Sequence, residues 1–434
     1  MLINFSIQNF GSIKDKQTLS FEADKSKHLE DYYVIHTNGL RLLKLGLIYG
    51  ANASGKTTIL NALDFLRTLV LNPKSQKTKI FNFEPFLFDE NTPKQSTIFE
   101  IDFIQNNMRY LYEVELNKKT IVREELFVHN PKKSNVFSRI TDLKNEVTKI
   151  KFGNKIKISK TAEETLENNT LWNNTVLGGF SKTNVSIEEL KNVTIWFKEY
   201  LSSTIHTRTV LDRYITERID RKEINKTTLL NILAKADFNL SDILIEKNID
   251  EELLDILEKQ KDITEDKIQE LKDKGRFTTI NLEFERTIDG KSYFLPFKKE
   301  SQGTQRYYGF AGILYLLLKS PTLFPIDELE SSLHPDLYQH FLLSFLINSK
   351  ESQIIATTHN REILEDKDIF RNDAIWITDK DNENCATELY SLADFGTKVI
   401  RNTTNILNAY KLGKLGGTPN LSDYYVNIED YEEE

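Results

Sequence analysis

Gly50-Ala51-Asn52-Ala53-Ser54-Gly55-Lys56-Thr57 fits the pattern G-x-x-x-x-G-K-[ST], and each fixed position has a chemical reason. The glycines let the backbone curl, so that successive N–H groups, from Asn52 through Gly55, point at phosphate oxygens. A helix starting at the end of the loop, with Thr58 in its first turn, sets its positive dipole end under the same anion. Lys56 is placed to reach the β- and γ-phosphates, and the Thr57 hydroxyl to ligate Mg2+. The chemistry implied is the grip of a phosphate chain together with a divalent cation.

Such a loop needs a second magnesium-organising carboxylate at the end of a neighbouring strand. Leu323-Phe324-Pro325-Ile326-Asp327-Glu328 offers it. Asp327 would hold Mg2+ through water, and Glu328 would orient and polarise the attacking water. Taken alone, the Asp-Glu pair reads equally well as an acidic helix start. Pro325 is unusual inside a central strand, because it lacks a ladder donor; it marks either a strand edge or a bulge. Glu300-Ser301-Gln302-Gly303-Thr304 precedes an apolar helix from Tyr307 to Leu318, so Ser301 and Gly303 at the helix start make a second anion-binding surface. Ile354 to Thr358 reads as a strand that ends in His359. A lone histidine is more often structural, but in this order and spacing His359 is a γ-phosphate sensor.

The surrounding segments must position these groups. Leu45 to Tyr49 is a short apolar strand entering the loop, and Ile59, Leu63, Leu66 and Val70 mark one face of the helix that leaves it. Residues 98–104 and 109–116 alternate apolar and polar side chains around Gln105-Asn106-Asn107, a hairpin within a meander. An Asn-rich run at 168–174 leads into a charged segment, 171–275. It reads as helical, with Ile249, Leu253, Ile256 and Leu257 on one face. Strands return from Arg276. Ile280, Leu282 and Phe284 alternate, and Asp289-Gly290 turns the chain so that Tyr293 to Phe297 pairs back.

Composition bounds the remaining classes. The chain has 434 residues, 39% apolar and 28% charged, ordinary for a soluble globular protein of two lobes. Its longest apolar stretch, Phe310 to Leu318, is too short to span a bilayer, and the N-terminus does not read as a signal peptide. With Cys385 alone there is no internal disulfide and no thiolate metal cluster, which fits a reducing cytoplasm. The net charge of -8 argues against a surface coated by nucleic acid, and Ile428 to Glu434 form an acidic, solvated tail.

With these motifs in order, the sequence resembles the ABC-type ATPases of the SMC and RecF group. More narrowly it resembles the AAA15 family of prokaryotic ATPases found in abortive-infection and other phage-defence systems. The resemblance runs over nearly the whole chain. It rests on Asn9-Phe10-Gly11-Ser12, the P-loop, Glu300-Ser301-Gln302-Gly303-Thr304 as the ABC signature, Ile326-Asp327-Glu328 as the Walker B end, Leu333-His334-Pro335 closing the D-loop and His359 as the H-loop residue. Asp394-Phe395 and Tyr410 to Pro419 also match the family's C-terminal pattern. The resemblance implies an α/β fold: an ABC-type P-loop NTPase head with an antiparallel β-meander subdomain and a helical insertion. Residues 1–170 would form the first part of the head, 171–275 the insertion, 276–420 the second part, and 421–434 the tail.

The resemblance also implies ATP rather than GTP as the nucleotide, and Mg2+ as its ion. Two heads would dimerise head to tail, Ser301 and Gly303 of one capping the γ-phosphate held by Lys56 of the other. The Q-loop glutamine stays open between Gln95 and Gln105. Three roles follow. The first is a defence ATPase that controls a separate effector, a nuclease or toxin, without a membrane. The second is a fused nuclease, for which Asp379-Lys380-Asp381 offers a D-x-D that reads better as a polar turn. The third is a DNA-repair or recombination clamp, with Lys298, Lys299 or the Lys-rich 147–160 stretch lining a DNA path.

Overall fold

The computed structural model describes residues 1–249, 278–366, 369–381, 383–395 and 405–419. Leu253, Ile256, Leu257 and the acidic tail lie outside the described residues. The chain divides into two compact units: Met1–Ile205 with Thr322–Leu329 and the described residues from Gln353 onward, and the described residues of His206–Pro321 with Glu330–Ser352.

The first unit holds two main sheets. One has five strands in the order Leu323–Ile326, Gln353–Thr357, Leu45–Gly50, Ile375–Lys380 and Thr387–Ser391. The first four run parallel and the last is antiparallel. Every residue of the strand entering the P-loop is buried, as expected for a parallel strand covered on both faces. Parallel strands bring their carboxyl ends to one side, so Gly50, Asp327, Thr357 and Thr378 gather there, where open α/β sheets bind ligands.

Pro325 fits this sheet because its strand is the edge. Leu323 and Pro325 turn their carbonyls outward to accept from Ser202 and Ile205 at 2.9 Å each, and the Asp327 N–H follows suit toward Ile205. The missing proline N–H therefore falls on the outer side and costs the ladder to Gln353–Thr357 no bond.

The second sheet is antiparallel and seven-stranded. Its order is Val147–Phe152, Lys133–Asp142, Ile121–His129, Met108–Leu116, Thr97–Gln105, Leu2–Gln8 and Gln17–Ser20. The expected hairpin is present, with Gln105 opposite Met108. Its tip residues Asn106 and Asn107 have φ of 50° and 59°, the left-handed pair of a tight hairpin turn. The helix Lys56–Leu71 buries Ile59, Leu63, Leu66 and Val70. From it Phe65 reaches a cluster with Phe10, Phe83 and Phe99, at centroid distances of 5.1 to 5.7 Å. This aromatic cluster ties the helix after the P-loop to the meander.

Helices begin earlier than 171, at Lys160–Asn169, capped by Ser159. In the second unit the segment expected to be helical also carries a strand, Asp242–Ile249, which pairs antiparallel with Thr278–Ile288. Ile249 is therefore the last residue of a strand and not part of a helical face. The alternating β-branched residues Ile243 and Ile245 explain the strand. Asp289-Gly290, with φ of 49° and 76°, turns that sheet into its third strand, Lys291–Pro296. The helix Gln302–Lys319 packs on Leu211–Asp220 through two glycines. A Cβ on Gly309 would lie 2.5 Å from the Leu211 Cβ, and one on Gly312 2.4 Å from the Ile215 Cδ1.

Candidate functional site

The loop between Gly50 and Lys56 is shaped by what lies behind it. A Cβ on Gly50 would sit 2.3 Å from the Thr378 Oγ1 and 2.4 Å from the Ser54 Oγ. One on Gly55, whose φ is +103°, would sit 2.1 Å from the Thr387 Oγ1. Both positions therefore demand glycine for space. Behind the loop the Ser54 and Thr378 hydroxyls meet at 2.6 Å. Thr387 donates within reach of the Ser54 carbonyl (2.9 Å) and the Ser12 hydroxyl (2.8 Å), and Ser12 meets Thr58 at 3.1 Å. These hydroxyls satisfy the buried rear of the loop, while Asn52 and Ala53 are exposed at its tip. Ala53 adopts φ +62°, a left-handed conformation within the curl.

Lys56 is buried, and its ammonium donates to the carbonyls of Gly50 and Ala51 at 2.9 Å each. Thr57 Oγ1 lies 3.1 Å from Asp327 Oδ1, although the two residues are far apart in sequence. Thr357, at the end of the neighbouring strand, joins the pair. Its hydroxyl donates to Asp327 Oδ1 at 2.7 Å and accepts the Glu328 N–H at 2.8 Å. The Thr357 carbonyl accepts the Leu329 N–H at 3.1 Å. Glu328 adopts φ 48°, so the chain turns sharply just past the buried Asp327 and leaves Glu328 half-buried. His359 is exposed, the second residue past the same strand end.

Lys56, Thr57, Asp327 and Glu328 thus come together in the first unit, with His359 just past the adjacent strand end. The arrangement fits a triphosphate with its ion. The donors are a curled backbone and an ammonium, and the cation set is one hydroxyl and one carboxylate, sparse in the way Mg2+ sites completed by phosphates and water are. Among the described residues there is no cluster of three or more His, Cys, Asp or Glu that would hold a metal by itself.

Ser301 and Gly303 lie in the second unit. Ser301 is exposed and caps the helix Gln302–Lys319 by accepting the Thr304 N–H at 3.1 Å. Gly303 sits beside the Ser332 carbonyl, 3.4 Å from where its Cβ would be. His334 caps the next helix, Pro335–Asn348.

Of the glutamines, Gln105 lies at the tip of the hairpin. The Gln95 carbonyl accepts from Asn9, two residues before the Gly11 that packs on Thr58. Asp379 and Lys380 end a strand, and Asp381 Oδ1 accepts the N–H groups of Glu383 (2.8 Å) and Asn384 (2.9 Å), the expected polar turn. Sequence reasoning names Ser12 only within the run Asn9-Phe10-Gly11-Ser12 and misses the parts played by Thr357, Thr378 and Thr387. Each is a single hydroxyl residue whose partner comes from a remote strand, so no local spacing marks it.

Comparison with known families gives one match. The family described as "AAA domain, putative AbiEii toxin, Type IV TA system" matches residues 47–365. The chain belongs to this family. It therefore carries an AAA-type ATPase domain, and the matched span contains every P-loop, signature, Walker B and H-loop residue named above. Comparison with curated protein sequences gives no match. Among solved structures, the SMC head domain from Thermotoga maritima is 13% identical, with a TM-score of 0.40 over 90% of this chain and 98% of that one. An SMC head with an extended coiled coil bound to the C-terminal domain of ScpA, derived from Pyrococcus furiosus, is 13% identical, with a TM-score of 0.42 over 95% and 98%. A further SMC head, bound to the C-winged helix domain of ScpA, is 13% identical with a TM-score of 0.41 over 90% and 97%. No helix among the described residues is long and apolar enough to cross a membrane.

Proposed function

We propose that this chain is a Mg2+-dependent ATPase switch of the cytoplasm, whose ATP-bound heads pair head to tail and control a separate effector in antiviral defence. The observation that supports it most is the approach of Thr57 to Asp327 at 3.1 Å, with Glu328 next in the chain. That approach joins the phosphate loop to an acid–base pair from a strand end remote in sequence.

In this reading the N–H groups from Asn52 to Thr58 bind the phosphates, and Lys56 leaves its carbonyl partners for the β- and γ-phosphates. Thr57 and Asp327 would hold Mg2+, which when bound would neutralise charge on phosphate oxygens. Glu328 takes a proton from the attacking water, and His359 hydrogen-bonds the γ-phosphate. Ser301 and Gly303, at an exposed helix N-terminus, cap the γ-phosphate in the partner head. ATP then acts as interface glue, and its loss opens the dimer.

The test pairs two variants. Glu328→Gln should bind ATP and run as a stable dimer on gel filtration with ATP, and Lys56→Ala should do neither. Hydrolysis by Glu328→Gln at the wild-type rate would remove Glu328 as the base. Co-purification with the product of a neighbouring gene tests the effector.

A further inference from the structure

Residues beyond the span matched by the family touch the P-loop directly. The short helix Ile406–Lys411 ends in a loop of glycines with left-handed φ, Gly413 (70°), Gly416 (68°) and Gly417 (64°). Gly417 lies against the P-loop. Its Cβ would fall 3.3 Å from the Gly50 Cα, 3.2 Å from the Thr378 carbonyl oxygen and 2.6 Å from the Ile377 Cγ2. No side chain fits there, so the glycine allows backbone to meet backbone.

Tyr410 anchors this loop. It is buried, its ring meets Tyr49 edge to face at 6.0 Å, and its hydroxyl donates to the Gly417 carbonyl at 2.8 Å. Burial pushes the Tyr410 hydroxyl up to about 12. Tyr410 thus sets its ring on Tyr49, the residue before Gly50, and its hydroxyl on the loop that covers the P-loop. A second tyrosine, Tyr390, holds the covering loop from its other side by donating to the Leu415 carbonyl at 3.0 Å. Both tyrosines hold the covering loop, but only Tyr410 bonds Gly417, the residue that lies against Gly50.

We propose that Tyr410 is a positioning residue for nucleotide binding: through Gly417 and Gly50 it holds the first turn of the P-loop in its phosphate-binding form. The inference rests on the reading of the P-loop as an ATP site. Gly50 must let the next residues curl so that their N–H groups point at the phosphates. A hydroxyl that fixes the Gly417 peptide keeps that backbone against Gly50. The C-terminal segment thereby becomes part of the nucleotide site.

The experiment measures the Kd of a fluorescent ATP analogue with Mg2+ for the full chain and for Tyr410→Phe, Tyr390→Phe and Gly417→Ala. The thermal midpoint is followed with and without ATP. Tyr410→Phe keeps the ring against Tyr49 and loses one hydroxyl, so affinity should fall about three- to tenfold. Its ATP-induced rise in midpoint should shrink while the ATP-free midpoint stays near wild type. Tyr390→Phe should bind ATP within twofold of wild type (about the scatter of such a measurement) because it acts on the covering loop alone. Gly417→Ala, which pushes on Gly50, should weaken ATP more than Tyr410→Phe. Equal losses in the two tyrosine variants, or wild-type affinity in Tyr410→Phe, would overturn the proposal. Should the wild-type chain bind no ATP, or Lys56→Ala bind it as well as wild type, the ATP-site reading itself fails, a different outcome.

Discussion

Two buried polar networks lie in the first unit, and they differ in where they end. In the parallel sheet, Thr357, Asp327 and Thr378 sit at or beside strand ends, and their bonds lead to Ser54 and a glycine-framed loop whose tip is exposed. In the meander, Glu124 and Arg139 sit mid-strand and fully buried. Glu124 accepts from the Tyr112 hydroxyl at 2.9 Å and the Val176 N–H at 2.8 Å. Arg139 donates to the carbonyls of Ile121 (2.8 Å) and Trp172 (2.9 Å). The second network closes on the protein itself and staples the sheet to the segment that follows it. Burial of polar groups therefore does not mark a site. An opening at the carboxyl ends of parallel strands does.

Substitutions should separate the two. The largest effect is expected at the strand ends: Glu328→Gln should lower kcat about 100- to 10,000-fold with ATP affinity kept, read by steady-state hydrolysis and equilibrium binding. In the meander, Arg139→Met leaves the buried carbonyls of Ile121 and Trp172 without their donor and removes the charge that favours ionised Glu124. It should cost about 1–3 kcal/mol of stability in denaturant unfolding without changing ATP affinity. A matching loss of ATP affinity in the folded variant would break the distinction drawn between the networks. Thr357→Val removes the hydroxyl shared by Asp327 and Glu328. Hydrolysis should fall about tenfold, the Mg2+ concentration for half-maximal rate should rise, and Thr357→Ser should restore both.

The smallest effect concerns pH. Burial pushes Glu124 up to about 7, above its ordinary value near 4.5, while the Arg139 charge opposes the shift. The folded protein thus holds this proton more tightly than the unfolded chain. The stability it contributes is full below about pH 4.5 and is lost as pH rises to about 7. Glu124→Gln should flatten that slope in unfolding curves at several pH values.

Much of the site is legible in the sequence, because a P-loop and a strand-terminal Asp-Glu are runs of adjacent residues whose chemistry dictates their order. Two strands of the five-stranded sheet, Leu45–Gly50 and Leu323–Ile326, are legible for the same reason, since each ends in such a run. Thr378 and Thr387 are not legible: isolated threonines in strands are common, and only the fold sets them behind Gly50 and Gly55. Tyr410 stands in a run that matches a C-terminal pattern, yet nothing local reveals that it holds Gly417 against Gly50. The strand Asp242–Ile249 was hidden because acidic and basic neighbours around a few isoleucines fit a helical face as readily as a strand. Pro325 looked anomalous until its outward side was known.

In the proposed function, the ends of the strands Leu45–Gly50 and Leu323–Ile326 form one ATP–Mg2+ site. Its most direct test is the affinity for ATP with Mg2+ and with EDTA, in the wild type and in Asp327→Asn. Wild-type affinity should drop when Mg2+ is removed, and Asp327→Asn should bind ATP weakly and almost indifferently to Mg2+. Full Mg2+ dependence in Asp327→Asn would contradict the claim.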